Sequence, residues 1–215
     1  MKKFLITAIF AFLGLTVFAQ TRLYVNPKFG EIAKTQKIIA VLPFKVSITL
    51  RPNQMKKITP EQLKDMQLNE GSGIQTAMVS WFMKRSEKGK LLVQVQQPVV
   101  TNAILKKAGV DNTNIDSYTP AQLAKILKVD AVIMGTFQTT KPMSEGLSAA
   151  MGVLFGVWGA TNRATMNLFI YNAGDNQVLL NYNKGLVGSL GSSTQDLVNI
   201  LMRKASRRIA YVSTK

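Results

Sequence analysis

Two stretches, KIIAVLPF (Lys37–Phe44) and AVIMGTF (Ala131–Phe137), offer apolar side chains to both sides of an extended backbone. Neighbouring residues of a strand point to opposite faces. A strand that is apolar on both sides must therefore be covered on both sides, which places these runs in the middle of a sheet. Pro43 sits near the end of its run, where a lost ladder donor is tolerated. With 47% hydrophobic residues in 215, the chain has material for one well-packed domain rather than two large ones.

The elements around these strands are legible from their boundaries. Lys45–Leu50 alternates like a half-exposed strand. Thr59-Pro60-Glu61-Gln62 and Thr119-Pro120-Ala121-Gln122 both open helices, with a threonine cap, proline in the first turn and glutamine to close a capping box. Gly71-Ser72-Gly73 predicts a break in the first of these helices, before Ile74, Ala77, Met78, Trp81 and Phe82 recur at helical spacing. Leu91–Val95 reads as a strand. Pro98 opens a helix with Val100, Ala103 and Ile104 inward and Gly109 at its end. Arg163–Asn172 and Gln177–Leu186 form a hairpin that turns at residues 173–176. Ser192 or Ser193 caps a last helix reaching Val212, with Leu197, Leu201, Ala205, Ile209 and Val212 buried. Strands and helices interleaved in this way give an α/β fold with a mixed β-sheet flanked by helices.

Residues 1–19 read as a secretory signal peptide: Lys2 and Lys3, an apolar stretch from Phe4 to Phe18, and small residues before a cut after Ala19. Residues 20–36 read as an extended lead-in, and 37–215 as the single domain. Removing 1–19 lowers the formal charge from +16 to +14. Such an excess on an exported protein favours anionic partners, lipid head groups or lipopolysaccharide phosphates, and not nucleic acid. Arg203, Lys204, Arg207 and Arg208 on the last helix are the candidate contacts. Lys56-Lys57, Lys84-Arg85, Lys88, Lys90 and Lys106-Lys107 are further basic groups. Periplasm or the outer-membrane periphery is the expected location. The chain has no Cys, so it is not lipid-anchored through one.

Residues 146–160 (GLSAAMGVLFGVWGA) carry no charge and are too few for a membrane-spanning helix. Gly152 and Gly156 have the spacing that lets helices approach closely in lipid. Leu154, Phe155 and Trp158 are the large apolar groups. Two readings stand: a membrane or partner contact, and a segment packed on the domain's own sheet.

Catalytic chemistry finds little purchase. No Cys and no His means no disulfide scaffold, thiolate nucleophile, Cys/His zinc site or imidazole base. No cofactor and no small-molecule substrate is expected. Asp111 and Asp116 flank a polar turn that loosely matches a calcium loop but lacks its glycine and closing glutamate. Gly185, Gly188 and Gly191 lead toward the last helix without a Walker lysine or dinucleotide spacing.

With these elements placed, KIIAVLPF, NAILKKAGV (Asn102–Val110) and LAKILKVDAVIMGTF (Leu123–Phe137) resemble the bacterial envelope group that includes the curli-secretion protein CsgG and the LpoB activators of peptidoglycan synthases. The resemblance extends over roughly Lys37 to Tyr211. It implies a CsgG/LpoB-like (anticodon-binding-domain-like) sheet covered by helices, used for protein contacts rather than catalysis. The expected function is a structural or regulatory binding module of the envelope, with an envelope protein or a second copy of itself as partner. The alternative is a subunit of an oligomeric outer-membrane secretion or transport assembly, with 146–160 in the membrane.

Overall fold

A computed structural model describes residues 21–50, 52–139, 162–188, 194–205 and 208–213. In chain order the elements are β1 (Thr21–Val25), α1 (Phe29–Thr35), β2 (Ile38–Val41), β3 (Lys45–Ile48), α2 (Pro52–Met55), α3 (Pro60–Ser86), β4 (Gln94–Val95), α4 (Pro98–Lys107), a single 3-10 turn (Ile115–Ser117), α5 (Pro120–Leu127), β5 (Ala131–Thr139), β6 (Asn162–Asn172), β7 (Val178–Gly188) and α6 (Thr194–Ala205). The strands form one seven-stranded sheet in the order β1-β7-β6-β5-β2-β4, with β3 also paired to β5. Pairing with β5 is parallel for β2 and β3 and antiparallel for β6, so the sheet is mixed as expected.

Both central runs are covered on both faces. Ile39, Val41, Ala131 and Ile133 are buried under α3, α6 and α1, whereas Ala40, Leu42 and Val132 are buried under α4 and α5. The period-two split of each run between two cores is what an apolar strand in mid-sheet requires.

β2 and β3 are two halves of one interrupted strand. Val41 pairs with Ile133 and Lys45 with Thr136, so β2–β3 spends one more residue than β5 over this step. The extra residue bulges the strand at Pro43-Phe44, and Phe44 turns into the core, 1% exposed. α3 crosses directly over the bulge: the Phe44 amide donates to the Gly71 carbonyl at 3.2 Å.

Both threonine capping boxes form. Thr59 accepts from the Gln62 amide and Thr119 from the Gln122 amide, each at 3.2 Å, and each glutamine side chain returns a bond to its cap. Ile74, Ala77, Met78, Trp81 and Phe82 are all buried. The β6–β7 hairpin turns at 173–176, with Asn176 at φ 59°.

Several expectations are corrected. The helix does not break at Gly71–Gly73: α3 is continuous over 27 residues. Its cap and its buried stripe lie on either side of the glycines and outweigh their low helix propensity. The 20–36 region is not merely extended: β1 pairs with β7 and Phe29 of α1 is buried. The Leu91–Val95 strand shrinks to Gln94–Val95 plus a bridge from Leu91 to Val212. α4 turns inward with Thr101 and Leu105, leaving Val100 and Ala103 exposed and Ile104 half-buried. The Thr101 hydroxyl bonds to Gln96 at 2.8 Å, which satisfies a polar group on the inner face. α6 is described over Thr194–Ala205, and Val212 joins the core beside a bridge to Leu91 instead of as part of a helix. Gly185 and Gly188 lie within β7 and not in the turn that leads to the last helix. Gly191, Ser192, Ser193 and residues 1–20 and 146–160 lie outside the described residues.

A buried polar chain ties the C-terminal end to the sheet. The Tyr211 hydroxyl donates to Gln36 Oε1 at 2.6 Å, and Gln36 Nε2 donates to Asn172 Oδ1 at 2.8 Å. Burial, and then the charge of Asp130, push the Tyr211 phenol far above its usual range. The folded protein therefore holds the neutral phenol, while the unfolded chain ionises it near pH ~10. This contribution to stability is complete below that pH and declines as pH rises above it. Tyr211→Phe is expected to cost ~1–3 kcal/mol at neutral pH, because Gln36 Oε1 loses its donor. It should also flatten the alkaline decline. Urea titrations of both proteins at neutral pH and above the phenol range test this, and parallel curves would contradict it.

Candidate functional site

The acidic groups singled out in the sequence serve the fold. Asp111 Oδ1 accepts from the Thr113 amide at 2.7 Å, from its hydroxyl at 2.5 Å and from the Asn114 amide at 3.2 Å. These bonds, the Thr113 hydroxyl first, hold the Asp111 carboxyl below its ordinary range. Asp116 pairs with Lys45. The polar turn thus closes on itself, and its two aspartates are directed to different partners. Asp130 caps the start of β2, accepting from the Lys37 and Ile38 amides at 2.6 and 2.9 Å. Among the described residues no three metal-binding side chains gather, and no helix is long and apolar enough to cross a membrane.

Two surfaces remain. The first is a groove of about 290 Å³ between the C-terminal half of α3 and α6, lined by Trp81, Lys84, Arg85, Lys88, Asn199 and Arg203. Lys84 and Arg85 belong to the last turn of α3, and Lys88 follows in the turn beyond it. Trp81, 4% exposed, packs edge-on against Phe82 with ring centroids 5.3 Å apart. The Arg85 guanidinium lies 4.7 Å from the Trp81 ring centroid, a cation–π contact that limits its freedom. Among the described residues no ion pair engages Lys84, Arg85 or Lys88.

Of the four basic residues singled out on the last helix, Arg203, Lys204 and Arg208 lie among the described residues, and Arg203 and Lys204 have different neighbours. Arg203 joins the α3 cations in the groove. Lys204 lies beside Lys184 of β7, whose Nζ donates to Thr21 Oγ1 at 3.1 Å. Burial, and then the Lys204 charge, push the Lys184 ammonium below its ordinary range. Arg208 is exposed after the helix, and Arg207 lies outside the described residues. Leu154, Phe155, Trp158, Gly152 and Gly156 also lie outside them.

The second surface is the back of β1, β7 and β6, which sequence reasoning missed. Registers align Tyr24, Asn181 and Phe169 in one row across the strands, and Arg22, Asn183 and Asn167 in the next. Asn181 Nδ2 donates to Asn167 Oδ1 at 2.7 Å, and Phe169 stacks on Tyr171 with centroids 5.5 Å apart. These side chains are half-buried or exposed, and Tyr24 is 49% exposed. Among the described residues β1 is an edge strand. The alternation of asparagine or aromatic residues with buried ones along Met166–Asn172 and Leu180–Asn183 was the available signal.

No protein-family model matches the chain, and no curated protein sequence does. Solved structures are similar to it at low identity. The PelC dodecamer from Paraburkholderia phytofirmans is 10% identical over 92% of this chain and 100% of that one, with a TM-score of 0.44. Lipoprotein GNA1162 from Neisseria meningitidis is 15% identical over 81% and 98%, with a TM-score of 0.48. The LpoB C-terminal domain from Salmonella enterica is 6% identical over 70% and 82%, with a TM-score of 0.33.

Proposed function

We propose that the chain is an exported, non-enzymatic protein of the bacterial cell envelope that acts as a structural or regulatory protein-binding module. The observation that carries this reading is the row of amide and aromatic side chains on the back of β6 and β7, ending at the edge strand β1 with Leu23 and Tyr24 exposed. A sheet edge offers backbone donors and acceptors to a partner strand, and aromatic residues beside it supply anchors. The carboxylates discussed above are engaged in turns, strand starts and an ion pair, which favours binding over acid–base chemistry. In this reading residues 1–19 direct export. Leu154, Phe155 and Trp158, with Gly152 and Gly156, form a second contact. The excess positive charge, through Arg203, Lys204, Arg207 and Arg208, draws the protein toward anionic lipid or lipopolysaccharide.

Expressed in a double-membrane bacterium, the chain is expected in the envelope fraction, shortened by its first 19 residues. There Tyr24→Lys should leave the melting temperature unchanged and weaken cross-linking to its partner about tenfold, the ~1.4 kcal/mol of one modest anchor. Recovery from the cytosol with Met1 intact overturns export, and unchanged cross-linking overturns the edge as the contact. A ring-sized particle in lipid that becomes a monomer on deletion of 146–160 favours the secretion-assembly reading instead.

A further inference from the structure

The geometry points to the α3–α6 groove as a binding site for a compact phosphate monoester, carried by a lipid head group. The chemistry follows from the groove itself; only the choice of a lipid source rests on the envelope reading above. Lys84 and Arg85 lie in the last turn of α3, Lys88 lies in the turn that follows it, and Arg203 faces them from α6. The groove's volume, about 290 Å³, suits one head group rather than a length of polymer. Four cations around so small a space match a doubly charged group better than single carboxylates spaced along an acidic chain.

The floor sharpens the match. Trp81 excludes water from one side, which strengthens charge interactions across the groove. Its ring also holds the Arg85 guanidinium in place. A pre-placed guanidinium binds two phosphate oxygens at once, whereas Lys84 and Lys88 act as point charges that adapt. Glu87, the residue that caps the end of α3, and Asp196 on α6 do not line the groove. Chain folding therefore assembles, from residues more than a hundred positions apart, a cationic site that neither helix makes alone.

The test measures binding of the full chain to phosphatidylcholine vesicles containing phosphatidic acid, and to vesicles containing phosphatidylserine at matched surface charge. The triple variant Lys84→Gln, Lys88→Gln, Arg203→Gln removes three exposed cations from the groove. Lys106→Gln, Lys107→Gln, Lys125→Gln removes three exposed cations elsewhere. Circular dichroism and melting confirm that both variants fold. At roughly fivefold per cation, the groove variant should lose about 100-fold of phosphatidic acid binding and the control variant far less. Inorganic pyrophosphate should compete with the vesicles more strongly than sodium chloride of equal ionic strength. Equal losses in the two variants, no preference for phosphatidic acid, or equal competition by chloride would each overturn the site and leave only general charge attraction. Those results leave the edge-strand contact untouched, so the two readings fail separately.

Discussion

Phe44→Ala is expected to lower stability by ~3–5 kcal/mol, a large part of the ~5–15 kcal/mol that holds a domain of this kind together. The ring is 1% exposed and fills the space above Gly135 of β5, where an added Cβ would come within 2.6 Å of Phe44 Cε1. The void left by alanine has little means of closing. β5 is held by strands on both sides, and α3 is held against the bulge by the bond from the Phe44 amide to Gly71. Urea unfolding measures the loss. A cost below ~1 kcal/mol would mean that the surroundings collapse onto the site.

The glycines of α3 should respond to alanine with opposite signs. A Cβ on Gly71 would overlap the Phe44 carbonyl oxygen and lie 3.2 Å from its carbonyl carbon. The neighbour is backbone and has no rotamer in which to retreat, so the helix or the bulge must move. Gly71→Ala is therefore expected to cost ~2 kcal/mol or more, despite the ~1 kcal/mol that alanine gains in helix propensity. At Gly73 nothing lies within 4 Å of the added carbon, and the same substitution should stabilise by ~0.5–1 kcal/mol. Thermal melts of the two variants decide the matter, and a loss at both positions would refute the close approach. The overlap at Gly71 involves the carbonyl of residue 44, on the same bulge that the Phe44 ring anchors. The space left by Phe44→Ala gives that bulge room to move, so the double variant should cost less than the sum of the two single ones.

The candidate site was less legible than the fold. Lys84, Arg85, Lys88 and Arg203 could be counted in the sequence, but their convergence depends on α3 and α6 packing side by side. The same packing separates Lys204 from Arg203, because adjacent helical residues point about 100° apart and Lys204 meets Lys184 instead. Val100 and Ala103 looked inward because apolar residues at helical spacing usually are. On α4 the inner face belongs to Thr101 and Leu105, and the Thr101–Gln96 bond lets a polar residue take that place.

What the sequence determined by itself was local. Period-two and two-faced apolar runs placed β2, β5 and the β6–β7 hairpin, and threonine–proline–glutamine caps placed the starts of α3 and α5. These signals act within a few residues, through side-chain alternation and backbone capping. Only the tertiary structure decided that α3 runs through Gly71–Gly73, that β1 joins the far edge of the sheet, and that two helices share a cationic groove. Each depends on contacts between residues far apart in the chain: Gly71 with Phe44, Thr21 with Lys184, Arg203 with the cations of α3. The energy of such contacts comes from burial and close packing, which no local pattern encodes.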